Sequence, residues 1–306
     1  MKDGYWVIRT YESGQVGEKI KFWVPGARPK GRLTRKNKSD IRKAVQNEES
    51  SARQMARLLN ANFRPGDWLL GLDYSPDALL RLELEAAGGV VPVQGGRLQG
   101  MGNRGREGRI ATVPSGPRND TRAKGKRRTA ECRPCMTEAQ RMDAVRNAAE
   151  KMLVNCIRRV KRELEKDGIE LKYVTVTADV DGKTGEAVRV HHHLVINREA
   201  RDAFVRKWQD KGLGGVAWSP LEKQDDYLEI AKYILAQARK TREGENKYTS
   251  SRNLVRPRPK DRVATSSSEV RVPKGCRLLH RQEFKPGKAQ YIRYRIETDS
   301  GGAKAG

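Results

Sequence analysis

Apolar residues recur along this chain with two different periods, and the switches between them predict its elements. Between Thr137 and Gly168 they fall at Val145, Ala149, Met152, Leu153, Cys156, Ile157, Val160 and Leu164, three or four apart, which marks one face of a long helix. Thr137 followed three residues later by Gln140 is a capping-box start, and Gly168 suits the end. Similar spacing predicts helices over 39–62, with an interruption near 46–51, over 198–211 with Ala203, Phe204 and Trp208 inward, and over 224–239. Short apolar runs bounded by turn residues predict strands over 5–10, 19–24, 68–74, 171–180, 187–197, 214–218, 276–280 and 290–298. Asp181-Gly182-Lys183-Thr184-Gly185 has the turn chemistry of a hairpin and joins the fourth of these strands to the fifth.

The second strand of that hairpin carries three of the four histidines, in the run Val190-His191-His192-His193-Leu194. Side chains alternate along a strand, so His191 and His193 project from one side about 6.5–7 Å apart, while His192 points the other way. Neutral imidazole is a common ligand for divalent cations, and a pair on a rigid strand is expected to hold one. A buried strand has little other reason to accept three consecutive ionisable rings. Downstream, the helical segment around 226–240 carries Tyr227 and Tyr233. A phenol with a reference pKa of about 10 is a poor nucleophile at neutral pH, but a nearby divalent cation favours the phenolate and polarises a phosphate. Histidines for a metal, a helical tyrosine and a basic surface together suit phosphodiester transesterification.

The basic surface follows from composition. Lys and Arg number 63 against 38 Asp and Glu, a formal charge of +25, and such a field attracts polyanions, nucleic acid first. Lys30, Arg32, Arg35, Lys36 and Lys38 form a basic arm, and Lys247, Arg252, Arg256 and Arg258, just after the tyrosine helix, are the expected DNA contacts. Between 88 and 133 the chain turns Gly-, Arg- and Ser-rich and cannot bury enough apolar area to offset ordering, so it reads as a flexible basic insert. The expected organisation is therefore extended segments and the arm over 1–38, an α+β domain built from 39–87 and 134–300, the insert over 88–133, and a frayed tail over 301–306. No run approaches the roughly 20 apolar residues of a spanning helix, and the N-terminus lacks the apolar core of a secretory signal, so the expected location is inside the cell with no membrane partner. Cys132 and Cys135 form a lone C-x-x-C without two further ligands nearby, and read as incidental rather than as a zinc site.

In this order the residues resemble the HUH endonucleases, the initiators of rolling-circle replication in phages and plasmids. Trp68 to Tyr74 is similar to the family's first core strand, His191-His192-His193 to its His-hydrophobic-His motif with a third histidine in the hydrophobic slot, and Ala231-Lys232-Tyr233-Ile234 to its catalytic-tyrosine helix. Lys247 to Leu254, Lys21 to Pro25 and Asn62-Phe63 add to the likeness, which covers about 200 residues. The resemblance implies a central antiparallel sheet related to the RNA-recognition fold and flanked by helices. It also implies Mg²⁺ or Mn²⁺ held by His191 and His193, and attack by Tyr233 to give a 5′-phosphotyrosine and a free 3′-hydroxyl. An acidic or polar residue on the neighbouring strand completes such sites; Asp179 is the expected third ligand, with Thr177 beside it. Members often carry Lys three residues after the tyrosine, where this chain has Ala236, so Lys232 or Lys240 would assist. Glu229 stands where two-tyrosine members have their second nucleophile, which implies a single one. The implied substrate is single-stranded or origin DNA in a bacterial host cytoplasm. The chain lacks a G-x-x-x-x-G-K-[ST] loop, so a separate helicase would unwind the DNA. A passive basic nucleic-acid binder, or a relaxase or transposase with the same chemistry, are the alternatives.

Overall fold

A computed structural model describes residues 4–26, 49–87, 137–239, 247–264, 269–284 and 289–297. The strands are β1 (Gly4–Ser13), β2 (Val16–Pro25), β3 (Trp68–Asp73), β4 (Tyr173–Val180), β5 (Ala187–Ile196), β6 (Val216–Pro220), β7 (Thr249–Ser250), β8 (Lys260–Val263), β9 (Cys276–Phe284) and β10 (Ala289–Ile296). The helices are α1 (Glu49–Asn62), α2 (Pro76–Ala86), α3 (Glu138–Leu164), α4 (Arg201–Gln209) and α5 (Leu228–Ala236). The chain is α+β, with two antiparallel five-stranded sheets among the described residues, ordered β6-β3-β5-β4-β7 and β8-β1-β2-β10-β9.

The first sheet is covered on both faces. On one, α3 lays its apolar stripe against Leu70, Leu72, Val190, Leu194 and Ile196, with Phe204 and Trp208 of α4 and Ala78 and Leu82 of α2 filling the rest. Helix α3 begins with the expected capping box, in which the Thr137 hydroxyl accepts from the Gln140 N–H and the Gln140 amide accepts from the Thr137 N–H. It ends through a 3₁₀ turn, Glu165–Asp167, at Gly168, whose φ of 69° is left-handed. Helix α2 is not apparent in the apolar spacing. Its start lies in Ser75-Pro76, where the Ser75 hydroxyl accepts from the Ala78 N–H and proline takes the first helical position; the same pair that halts β3 opens a helix.

The opposite face of this sheet, with Leu69, Val174, Val176 and Val195, packs on α1 and α5. The second sheet lies on the far side of α1, joined through basic residues rather than apolar ones. Arg57 forms a bidentate, buried pair with Glu18 at 3.1 and 2.6 Å and stands 3.5 Å over the Tyr11 ring, while Arg53 lies 4.2 Å over Tyr291.

This second sheet is a correction to the single central sheet that the sequence implies. The N-terminal hairpin pairs through β2 with β10, which pairs with β9, and β8 closes the other edge against β1. Strand β8 and the short β7 fall within 241–268, a stretch that reads as loop because neither strand carries an apolar run. The basic arm from Lys30 to Lys38, residues 39–48 of the first expected helix, the 88–133 insert with Cys132 and Cys135, Lys240 and the 301–306 tail lie outside the described residues. No helix among the described residues is long and apolar enough to cross a membrane.

Candidate active site on the central sheet

Strand β5 runs between β3 and β4, so every histidine has a neighbour on each side. Cross-strand register sets Asp73 and Ala178 beside His191, Leu72 and Thr177 beside His192, and Gly71 and Val176 beside His193. Alternation then separates two environments.

His192 is fully buried under α3. One ring nitrogen, Nε2, lies 2.8 Å from the Tyr74 hydroxyl, which donates to the Ala149 carbonyl at 3.1 Å; the other, Nδ1, lies 3.2 Å from the Thr177 hydroxyl. The Tyr74 proton is committed to Ala149, so Nε2 carries the imidazole hydrogen and Thr177 donates to Nδ1. Every donor and acceptor is satisfied only with the ring neutral. Burial first, then His191, Arg146 and His193, pushes its pKa down to about 3.

His191 and His193 face α5, with ring centroids 5.0 Å apart. Both Nε2 atoms point at one atom, the side-chain oxygen of Gln237, at 3.3 and 3.2 Å. That oxygen is oriented by its own amide, whose Nε2 donates to the Tyr233 carbonyl at 3.3 Å. Residue 237 caps the C-terminus of α5, and its backbone carbonyl accepts from the N–H groups of both Asp179 and Val180 at 3.1 and 3.2 Å. A register shift between Ala178 and Val180 frees those two N–H groups from the ladder, so a bulge in β4 fastens the end of α5 above the histidines. One helical turn earlier on the same face, Tyr233 is 58% exposed, with its ring 5.8 Å from that of His193.

The hydrogen positions give this cluster its chemistry. His191 Nδ1 lies 3.0 Å from the Arg189 carbonyl, which can only accept, so Nδ1 carries the hydrogen. In the neutral ring Nε2 is then a bare lone pair facing another acceptor, the Gln237 oxygen. A cation placed between that nitrogen and the Gln237 oxygen would satisfy both lone pairs, while the His193 ring meets the same oxygen at hydrogen-bond distance. Burial, ahead of all other causes, holds the pKa of His193 below the usual histidine value, which keeps a second nitrogen donor neutral. Two imidazoles and an amide oxygen suit a divalent cation of the first transition row. No group of three His, Cys, Asp or Glu side chains that could hold a metal forms among the described residues; beside the two imidazoles stands the amide oxygen of Gln237. The floor beside the pair is low, because a Cβ added at Gly71 would meet only the Ala217 Cβ, at 3.8 Å.

The structure does not bring the expected third ligand to the histidine pair. Thr177 lies directly across from His192, and it and Asp179 turn to α3, away from the histidine pair. Asp179 is buried and ion-paired with Arg146 at 2.9 Å and Arg239 at 3.3 Å, and it also accepts from the Arg239 N–H, so it ties α3 to the segment after α5. Gln237 and Asp73 are the residues that sequence reasoning misses. Asp73 stands across from His191 on the same face, and its charge acts on His193. The signal for Gln237 is its place four residues after Tyr233.

The remaining expected residues scatter. The Lys232 ammonium pairs with Glu229 at 3.0 Å and lines a cleft shared with His280, Gln282 and Arg293, on a different side of α5 from Gln237. Lys247 lines a neighbouring cleft of about 580 Å³ with Gly182, Lys232 and Arg239. Arg252 and Arg256 lie by Tyr173, at the other end of β4 from Ala178 and His191. Arg258 is exposed in the approach to β8. Comparison of the chain with protein-family profiles, curated proteins and solved structures gave no match.

Proposed function

We propose that this chain is a metal-dependent, single-tyrosine enzyme that nicks and rejoins single-stranded DNA at a replication origin, initiating rolling-circle replication with the chemistry of the HUH endonucleases. The observation that carries this reading is the meeting of the His191 and His193 Nε2 atoms at the Gln237 oxygen, with an exposed Tyr233 one turn away. His191, His193 and Gln237 would hold Mg²⁺ or Mn²⁺, which when bound favours the phenolate and polarises the scissile phosphate.

In the reaction, the Tyr233 oxygen loses its proton and bonds to phosphorus, and the bond from phosphorus to the 3′ oxygen breaks. That oxygen takes up a proton and leaves as a 3′-hydroxyl, with the 5′ end held as a phosphotyrosine. Attack by an incoming 3′-hydroxyl reverses the bonds, restores the phenol and rejoins the strand, so no nucleotide cofactor is consumed. Strand separation falls to a separate helicase.

The test is incubation of the full chain with origin single strands and Mn²⁺, followed by denaturing electrophoresis. A covalent protein–DNA adduct that disappears with a chelator is expected. The His191→Ala/His193→Ala double variant should lose the adduct and keep salt-sensitive DNA binding. An unchanged adduct in that variant would remove the histidine pair from the chemistry, and salt-sensitive binding without any adduct from the parent chain would leave only a passive nucleic-acid binder.

Gln237 gives a separate measurement. Gln237→Ala removes one donor and is expected to weaken Mn²⁺ binding by about ten- to a hundredfold in a calorimetric titration, with the melting temperature little changed. Unaltered Mn²⁺ affinity would remove Gln237 from the site.

A further inference from the structure

The second sheet has an outer face that the nicking site does not use. Alternation along β1 and β2 turns Tyr5, Val7, Ile20 and Phe22 inward towards α1, and Trp6, Ile8, Lys19, Lys21 and Trp23 outward. Strand β8 adds Arg262, across from Ile8.

Trp6 and Trp23 are direct cross-strand partners, their ring centroids 5.3 Å apart and edge to face. Trp23 is 39% exposed, and its indole lies over Gly4, where a Cβ would fall 2.3 Å from the ring. Glycine at position 4 therefore lets the ring rest on the strand. Lys21 sets its ammonium 4.9 Å over Trp6. Lys19 lies near Arg262, and neither meets a carboxylate within ion-pair distance among the described residues. Lys19 is already engaged, donating to the Arg271 carbonyl at 3.3 Å and standing 5.7 Å over the Tyr294 ring, and burial first and Arg262 second lower its pKa, which leaves the exposed Arg262 as the open cation of the face.

We infer that this face is a stacking platform for single-stranded DNA, distinct from the histidine pair, on which a base stacks against Trp23, backed by Trp6, while a phosphate meets Arg262. An exposed indole offers its π-face to any unpaired base, and the exposed Arg262 guanidinium alongside it complements a phosphate. A duplex hides the faces of its bases and cannot use the indoles. That the strand is DNA rests on the nicking reading; the platform itself needs no Tyr233.

The experiment uses the full chain carrying Tyr233→Phe, so that no covalent attachment interferes, and a 5-iodouracil-substituted single strand of about 20 nucleotides, long enough to cover more than one binding surface. Photocrosslinks on the peptides bearing Trp6 or Trp23 are expected. Trp23→Ala combined with Arg262→Glu should lower single-strand affinity at least about tenfold by anisotropy, with the circular dichroism spectrum unchanged. Crosslinks confined to the surroundings of the histidines, parental affinity in the double variant, or tighter binding of duplex or of RNA would each overturn the platform. The same double variant with Tyr233 intact is then assayed for the covalent adduct on a short cleavage-site oligonucleotide. Its adduct is expected to persist, which separates failure of the platform from failure of the nicking reading.

Discussion

Tyr233→Phe is expected to abolish covalent attachment to DNA, lowering adduct formation by at least about 10³-fold while single-strand affinity and melting temperature stay near those of the parent. The substitution removes one oxygen from an exposed ring, so neither core packing nor a buried hydrogen bond is lost. Among the tyrosines, only Tyr233 has its ring against one of the paired histidines. Tyr227, six residues earlier at the N-cap of α5, is buried in the core with α1 and the first sheet, and burial pushes its phenol up from the ordinary value, which makes it a poor substitute. The measurement is a denaturing gel of a labelled strand after reaction with Mn²⁺, with the adduct digested and its peptide sequenced. Normal adduct formation by the variant, or a label on another residue, would end the assignment.

The second large effect is on stability. His192 has its folded-state pKa lowered to about 3, against 6.5 for the exposed ring, so the unfolded chain binds this proton more readily than the folded one. The contribution is therefore complete above about pH 6.5 and is lost as pH falls towards 3. At about 1.4 kcal/mol per unit, roughly 3 kcal/mol disappears between pH 7.5 and 4.5 from this one group. Urea denaturation at the two pH values should show that loss in the parent chain. His192→Leu, which keeps the buried volume and has nothing to protonate, should lose less between the same two pH values. An equal loss in both chains would show that other groups account for the acid sensitivity. In the variant the Tyr74 hydroxyl retains its Ala149 partner while the Thr177 hydroxyl loses its acceptor on His192; that loss does not depend on pH and cancels when each chain is compared with itself at the two pH values.

The sequence made some features legible because they depend on local rules. Alternation alone places His191 and His193 on one face and His192 on the other, and Thr137 with Gln140 announces the start of α3. Asp179 shows where such rules stop. Its face depends on which β4 residue stands opposite His192, and the bulge beyond Ala178 follows from contact with the end of α5, which β4 cannot encode by itself. Gln237 escapes for a related reason. An amide at a helix terminus is unremarkable until the helix is docked, and only the docked helix brings it over the imidazoles. The second sheet was hidden because its central pairing, Gly17 with Tyr294, joins residues 277 positions apart, and no local period reports on so distant a partner.

That pairing also sets an order of assembly. Among the described residues the sheet that carries the histidines has no strand beyond Ser250, so its strands are all made before β8, β9 and β10 are synthesised. The β1–β2 hairpin is made first yet gains its neighbours β8, β10 and β9 last, and must wait with both edges open. A chain interrupted before β8 would therefore keep the histidines and Tyr233 while leaving the hairpin unpaired, exposed to self-association and dependent on chaperones.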